Sequence, residues 1–262
     1  MALWQAELDV ALDAARVAGA EAMRYFTLSP QFTIKSDQSP VSEADHAADR
    51  AVIATLRRAF PDDAILTEES GELAGTSGRR WIVDPIDGTR PFLRGLPHWS
   101  NLIALEVDGD IAVGVLHLPA LAELYGAARG LGTWKDGRRL NVRTEAKRPQ
   151  DAFLTIGGLS HALDGMGVEG FRRVTGAVAL ARGYGDSWGP ALMLSGVLDA
   201  WCEHDVELWD IAPFPVLFEE AGASYTDFAG LRTWPMRSGL AAHAELHARL
   251  LALIGAGAPK PA

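Results

Sequence analysis

Two aspartates three positions apart, Asp84 and Asp87, stand in the stretch WIVDPIDGTR, residues 81–90. Trp81, Ile82 and Val83 read as the end of a buried strand, and Asp, Pro and Gly then read as a tight loop at a sheet edge. Such loops are where ligand sites tend to be built. One explanation of the pair is structural, since Asp bonds nearby backbone N–H groups in turns and Pro85 presets a dihedral. The other is chemical. Carboxylates this close repel one another unless a cation lies between them, and a hard, all-oxygen donor set suits Mg²⁺ better than zinc.

More acidic residues recur where elements are expected to meet. Asp45 falls in the first turn of a helix read from about Ser42 to Phe60, Glu68 and Glu69 follow a short strand at Ala64–Thr67, and Asp210 opens a helix read to Ala221. Each has a structural explanation as well, because carboxylates at helix N-termini cap free N–H groups and complement the dipole.

The elements that must position them follow from periodicity. Leu8, Ala11, Leu12, Ala15, Ala18, Ala22 and Met23 mark an amphipathic N-terminal helix ended by Ser29 and Pro30. From Asn101 to Val142 the pattern turns to strands: Leu102–Val107, the Asp108-Gly109 turn and Ile111–Leu116 read as a hairpin. Leu124–Ala128, the segment around Trp134 and a turn at Lys135-Asp136-Gly137 extend that sheet. The second half is mixed, with strands near Phe153–Ile156, Ala200–Glu203 and Tyr225–Phe228, and helices near Phe171, over Trp188–Leu198 and over Ala242–Ile254. The tail GAGAPKPA is expected to be disordered.

At 262 residues and 48% hydrophobic, the chain can bury a sizeable core. We read 1–262 as one domain, with an N-terminal half over about 1–145 and a C-terminal half over about 146–256. Thirty-four acidic residues against 24 basic give a formal charge of -10, which disfavours nucleic-acid and anionic-membrane partners. A phosphorylated substrate would need a cation to bind such a chain. Cys202 is the lone cysteine, so no intrachain disulfide forms, and with no secretion signal read in the first residues the expected location is cytoplasmic.

Three collinear motifs carry a resemblance. TEES after a strand, WIVDPIDGT, and a late WDIAPFPVLFEEAG resemble the inositol-monophosphatase superfamily of metal-dependent, lithium-sensitive phosphatases, over nearly the whole chain. The resemblance implies an α/β (α+β) fold, a layered αβαβα sandwich, as a homodimer with two or three Mg²⁺ ions. It further implies Glu68, Asp84, Asp87, Asp210 and the Ile86 carbonyl as metal ligands, with Glu68 also counted among the catalytic residues. Gly88 and Thr89 would meet the phosphate at a helix start, and Thr89 with Asp45 would orient and deprotonate the attacking water.

For the substrate, GTRPFLRGLPHW after Asp87 resembles the histidinol-phosphate phosphatases of this superfamily, although Pro91 and Ser100-Asn101 depart from that branch. Asp186, and Glu203 seven positions before Asp210, fall where the superfamily contacts substrate. Their carboxylates suit the ammonium and imidazole of histidinol phosphate better than the hydroxyls of an inositol ring. Asp186 also reads as a helix cap and Glu203 as a solvent-facing strand residue. Trp99 and Trp188 are expected to wall this site, whereas His98, His204 and His243, which lack partners at zinc-ligand spacing, read as structural or surface residues, with His204 beside Glu203 the one that could line the pocket. Inositol 1-phosphate or another small ester is the second reading. A non-catalytic protein that binds metal and phosphate is the third, and the presence of both Asp45 and Thr89 argues against it.

Overall fold

The computed structural model describes residues 3–26, 32–34, 40–142, 145 and 148–255. In chain order its elements are α1 (Gln5–Met23), β1 (Phe32–Ile34), β2 (Pro40–Ser42), α2 (Glu43–Ala59), β3 (Ala64–Thr67), β4 (Gly71–Leu73), β5 (Arg79–Asp87), α3 (Thr89–Leu93), β6 (Ser100–Val107), β7 (Asp110–Leu118), β8 (Glu123–Ala128), β9 (Gly132–Lys135) and β10 (Arg138–Arg139). There follow β11 (Phe153–Ile156), α4 (Leu159–Ala177), β12 (Leu180–Arg182), α5 (Trp188–Leu194), β13 (Ala200–His204), α6 (Leu208–Ile211), α7 (Phe214–Glu220), β14 (Ser224–Thr226), β15 (Ser238–Ala242) and α8 (Ala244–Gly255).

Among the described residues, one sheet has eight strands in the order β10-β9-β8-β7-β6-β5-β3-β4, another has five in the order β12-β11-β13-β15-β14, and β1 pairs with β2 alone. Alternation along the strands of the larger sheet assigns each face a partner. Trp81, Val83, Ile103 and Leu105 face α1 and α2, whose small-residue stripe of Ala11, Ala15, Ala18, Ala44 and Ala48 allows close packing. Ile82, Leu102 and Ala104 face the other way, toward Phe214 and Phe218 of α7 and Trp201 of β13. Leu154, Ile156, Ala200 and Cys202 point through the smaller sheet to Met166 of α4 and to Leu246 and Leu250 of α8. The layers therefore alternate: α1 with α2, the larger sheet, α5 to α7, the smaller sheet, α4 with α8. This is the αβαβα sandwich expected. No helix among the described residues is long and apolar enough to cross a membrane.

Local differences have local causes. α1 ends at Met23, short of the Ser29–Pro30 stop, which lies outside the described residues, as does the tail from 256. The helix expected over Asp210–Ala221 is split into α6 and α7, because Pro213 has no N–H to carry it through. α5 stops at Leu194, four residues earlier than expected.

The largest difference concerns DPID. The strand does not end at Val83: β5 runs on to Asp87, with a register shift between Asp84, opposite Leu102, and Asp87, opposite Ser100. Three steps along β5 match two along β6, so one residue is extra, which is a β-bulge. Pro85 is tolerated there because the bulge needs no N–H from it, and Asn101 Nδ2 donates to the Pro85 carbonyl at 2.6 Å. In a regular strand, residues three apart point to opposite faces. The bulge lets both carboxylates turn into one pocket.

Candidate active site

That pocket, about 600 Å³, opens where strand ends of both sheets meet, and it is lined by residues from both halves of the chain. Glu68, Asp84, Ile86, Asp87, Gly88 and Thr89 come from the first half, and Asp186, Glu203 and Asp210 from the second. A somewhat larger cavity, about 680 Å³, lies between α1 and β8–β9, lined by Leu8, Leu12, Leu124 and Leu131 with Trp134, Arg16 and His117. It gathers no set of carboxylates, so the chemistry points to the smaller pocket.

Asp84, Asp87 and Asp210 each bring a carboxylate oxygen to within 4.8 Å of the others. Asp84 is held by the Ile86 N–H at 3.0 Å. Asp87 Oδ2 accepts the Ser187 N–H at 2.9 Å, the Ser187 hydroxyl, and the Ser100 hydroxyl at 3.3 Å. Asp210 accepts the Glu207 N–H at 2.8 Å within a reciprocal capping box that opens α6. Glu68 lines the same pocket but stands outside the tight trio.

Anions crowd together here. Burial first, then Glu68, Asp87, Asp210 and Asp45, hold the Asp84 carboxyl well above the usual range. Burial and Asp186 push Asp87 up to about 7 against the Ser187 and Ser100 hydrogen bonds, and burial and Asp87 push Asp210 up to about 8. A trio of largely buried carboxylates whose main charged neighbours are other carboxylates is the donor set of a hard divalent cation. Asp84, Asp87 and Asp210 therefore fit a cation such as Mg²⁺, with Glu68 and Ile86 lining the same pocket.

Asp45 sits beside this cluster on α2, at the N3 position of a capping box with Ser42. Its Oδ2 takes the Ser42 N–H at 2.8 Å and hydroxyl at 2.7 Å, while Thr89 Oγ1 lies 3.4 Å from its Oδ1. Burial raises the Asp45 carboxyl, the Ser42 hydrogen bonds lower it, and Glu68 raises it further. The Thr89 hydroxyl also lies 3.2 Å from the Ile86 carbonyl. Gly88, at φ 80°, makes the left-handed turn into α3 that other residues rarely adopt.

Asp186 and Glu203 line the same pocket. Burial and Asp210 raise Asp186 to about 6; burial, Asp87, Asp186 and Asp210 raise Glu203 well above the usual range. The structure thus brings Asp45, Glu68, Asp84, Ile86, Asp87, Gly88, Thr89, Asp186, Glu203 and Asp210 to one place. It does not bring the two tryptophans: Trp99 is fully buried against Phe26 and Phe92, and Trp188 stacks on His98 and meets Tyr184 edge-on. His204 packs on Phe228, as a structural residue would.

Sequence reasoning passed over His161 and Asp205, which line the pocket, and Ser187, Ser100, Ser42 and Asn101, which hold its carboxylates or the bulge. Ser42 had a readable signal in the capping spacing Ser42-x-x-Asp45. The others depend on contacts far apart in sequence.

The chain matches the model of the inositol monophosphatase family over residues 4–256. It is 35% identical over 260 residues to a histidinol-phosphatase of Chlorobaculum parvum, covering 96% of this chain and 97% of that one. To an inositol-1-monophosphatase of Rhizobium meliloti it is 38% identical over 229 residues, covering 85% and 86%. The crystal structure of the extragenic suppressor protein SuhB from Bartonella henselae superposes with a TM-score of 0.86 at 31% identity, covering 95% of this chain and 98% of that one. On motif order, fold and the carboxylate cluster alike, this chain belongs to the inositol monophosphatase family.

Proposed function

We propose that this protein is a Mg²⁺-dependent phosphomonoesterase that hydrolyses histidinol phosphate to histidinol and phosphate. Bound among Glu68, Asp84, Asp87, Asp210 and the Ile86 carbonyl, Mg²⁺ would supply Lewis acidity toward water and the phosphate oxygens. The chain's own residues do the rest. The N–H groups of Gly88 and Thr89 meet phosphate oxygens, and Gly88 lets the backbone come close. Thr89 accepts a hydrogen bond from the attacking water and passes its own hydroxyl proton toward Asp45, which orients the water and draws off its proton. Water oxygen bonds to phosphorus, the ester P–O bond breaks in line, and the alkoxide released takes a proton to become the free alcohol.

One observation carries the substrate: Asp186 and Glu203 place two further carboxylates in the pocket beyond the metal cluster, where an alcohol bearing positive charge would be stabilised and a neutral polyol would not. The pair of relatives named for histidinol phosphate and inositol 1-phosphate keeps inositol 1-phosphate as the competing ester. The test is the ratio of kcat/KM for the two esters at saturating Mg²⁺. Histidinol phosphate should be preferred, and Glu203→Gln should narrow the preference by roughly 10- to 100-fold, the worth of a charge-assisted hydrogen bond. A ratio favouring inositol 1-phosphate and unmoved by Glu203→Gln would overturn the assignment. Absence of turnover on any small ester, with Mg²⁺ and phosphate still bound, would support a binding role instead.

A further inference from the structure

Two carboxylates of the pocket rest on glycines. A Cβ on Gly88 would lie 3.3 Å from Asp186 Cγ, and one on Gly157 would lie 2.3 Å from Glu203 Cδ and 2.4 and 2.6 Å from its two oxygens. The first is a tight contact; the second is a collision that only movement of Glu203 could relieve. Gly88 is needed for its left-handed turn in any case. Gly157 has no such excuse. Its φ lies outside the left-handed range, and its N–H continues the pairing of β11 with β13 by donating to the Cys202 carbonyl at 2.9 Å. That φ does not call for glycine, and what glycine visibly provides here is room for the Glu203 carboxylate.

We propose that Gly157 is a specificity-determining residue: by lacking a side chain it lets Glu203 lie across the end of β11 and face the cationic part of the substrate. This rests on the reading of Glu203 given above. A methyl group at 157 turns the carboxylate away, and the pocket loses its preference for a charged alcohol while keeping the metal and phosphate residues, none of which a Cβ at 157 would meet among its nearest atoms.

The experiment measures kcat, KM and Tm for G157A, E203A and the double variant, with histidinol phosphate and inositol 1-phosphate at saturating Mg²⁺. G157A should lower kcat/KM for histidinol phosphate by roughly 10- to 100-fold, mostly through KM, as for a lost charge-assisted contact. The value for inositol 1-phosphate should change much less. In the E203A background, where the clashing group is gone, G157A should add almost nothing. If E203A narrows the preference and G157A does not, or if G157A costs as much with E203A as without it, the inference fails and the substrate reading stands. If E203A leaves the preference untouched, both fall. A G157A chain that folds only together with E203A supports the collision; one that folds in neither background overturns it.

Discussion

Asp45 divides its two oxygens between two tasks: Oδ2 is occupied by both donors of Ser42, and Oδ1 faces the Thr89 hydroxyl at 3.4 Å. The structural explanation of this residue as a cap and the chemical one as a base are therefore compatible. The cap fixes the carboxylate's orientation, and burial moves its affinity for a proton upward, toward the range in which a general base works near neutral pH.

Thr89→Ala and Asp45→Asn should each lower kcat by about 10²- to 10⁴-fold, the usual worth of positioned proton transfer. Mg²⁺ affinity, measured by titration calorimetry, should change little, because neither side chain is among the proposed ligands. The double variant should cost far less than the product of the singles if the two act as one unit. A fully multiplicative loss would separate them.

Asp84→Asn should abolish most turnover and most of the rise in Tm that Mg²⁺ produces. Without metal the same variant should melt higher than the parent at neutral pH, since it removes a carboxyl that burial and its acidic neighbours force to take up a proton on folding. The Ile86 N–H keeps an oxygen to bond at this position, so the local backbone has no reason to rearrange. A metal-free variant less stable than its parent would contradict the electrostatic account.

The layered fold was legible because periodicity changes where the layers change: helical spacing in α1 and α2, period two across β6 and β7, and the Asp108-Gly109 turn, where both residues take positive φ. β15 was not legible. Its sequence, SGLAA, has no β-branched residue, because Gly239 must leave space for Trp201 and Tyr225, which would lie 2.7 Å from a Cβ there. β1 and β2 are three residues each, too short for any pattern. The DPID bulge was misread as a loop for a related reason. Asp, Pro and Gly are turn residues by local propensity, whereas what holds this stretch in the sheet lies far off in sequence: its pairing with β6 and the hydrogen bond from Asn101, sixteen positions away.

Asn101→Leu tests that account. The side chain is buried, donates to the Pro85 carbonyl, and has its own oxygen 3.1 Å from His117 Nδ1. Removing the donor leaves a buried carbonyl unpaired, at a cost of about 1 to 3 kcal/mol. The bulge that aims Asp84 and Asp87 should relax, weakening Mg²⁺ binding in calorimetry as well as lowering Tm. A loss of stability with unchanged Mg²⁺ affinity would show that Asn101 supports the sheet but not the geometry of the carboxylates.

The pH dependence of stability should have two limbs of opposite sign. Burial would raise Asp63, but hydrogen bonds from Arg79, Ser77 and Trp81 outweigh it and lower its carboxyl. A lowered group stabilises the fold above its unfolded value near 4 and loses that contribution as pH falls through the folded one, so acid should weaken the protein below about pH 4. The pocket behaves in the reverse way. Asp186, Asp87 and Asp210 are raised to about 6, 7 and 8 without metal, so the folded chain holds protons that the unfolded chain has released. Metal-free stability should therefore fall as pH rises from about 4 to 8. Mg²⁺ should displace those protons, restore Tm on the alkaline side, and bind more weakly at pH 6 than at pH 8. Melting curves against pH with and without Mg²⁺ check the sign, and calorimetry in two buffers of different ionisation enthalpy counts the protons released. A metal-free Tm that climbs steadily from pH 5 to pH 8, or a binding enthalpy independent of buffer, would mean that the clustered carboxylates do not hold protons that metal must expel.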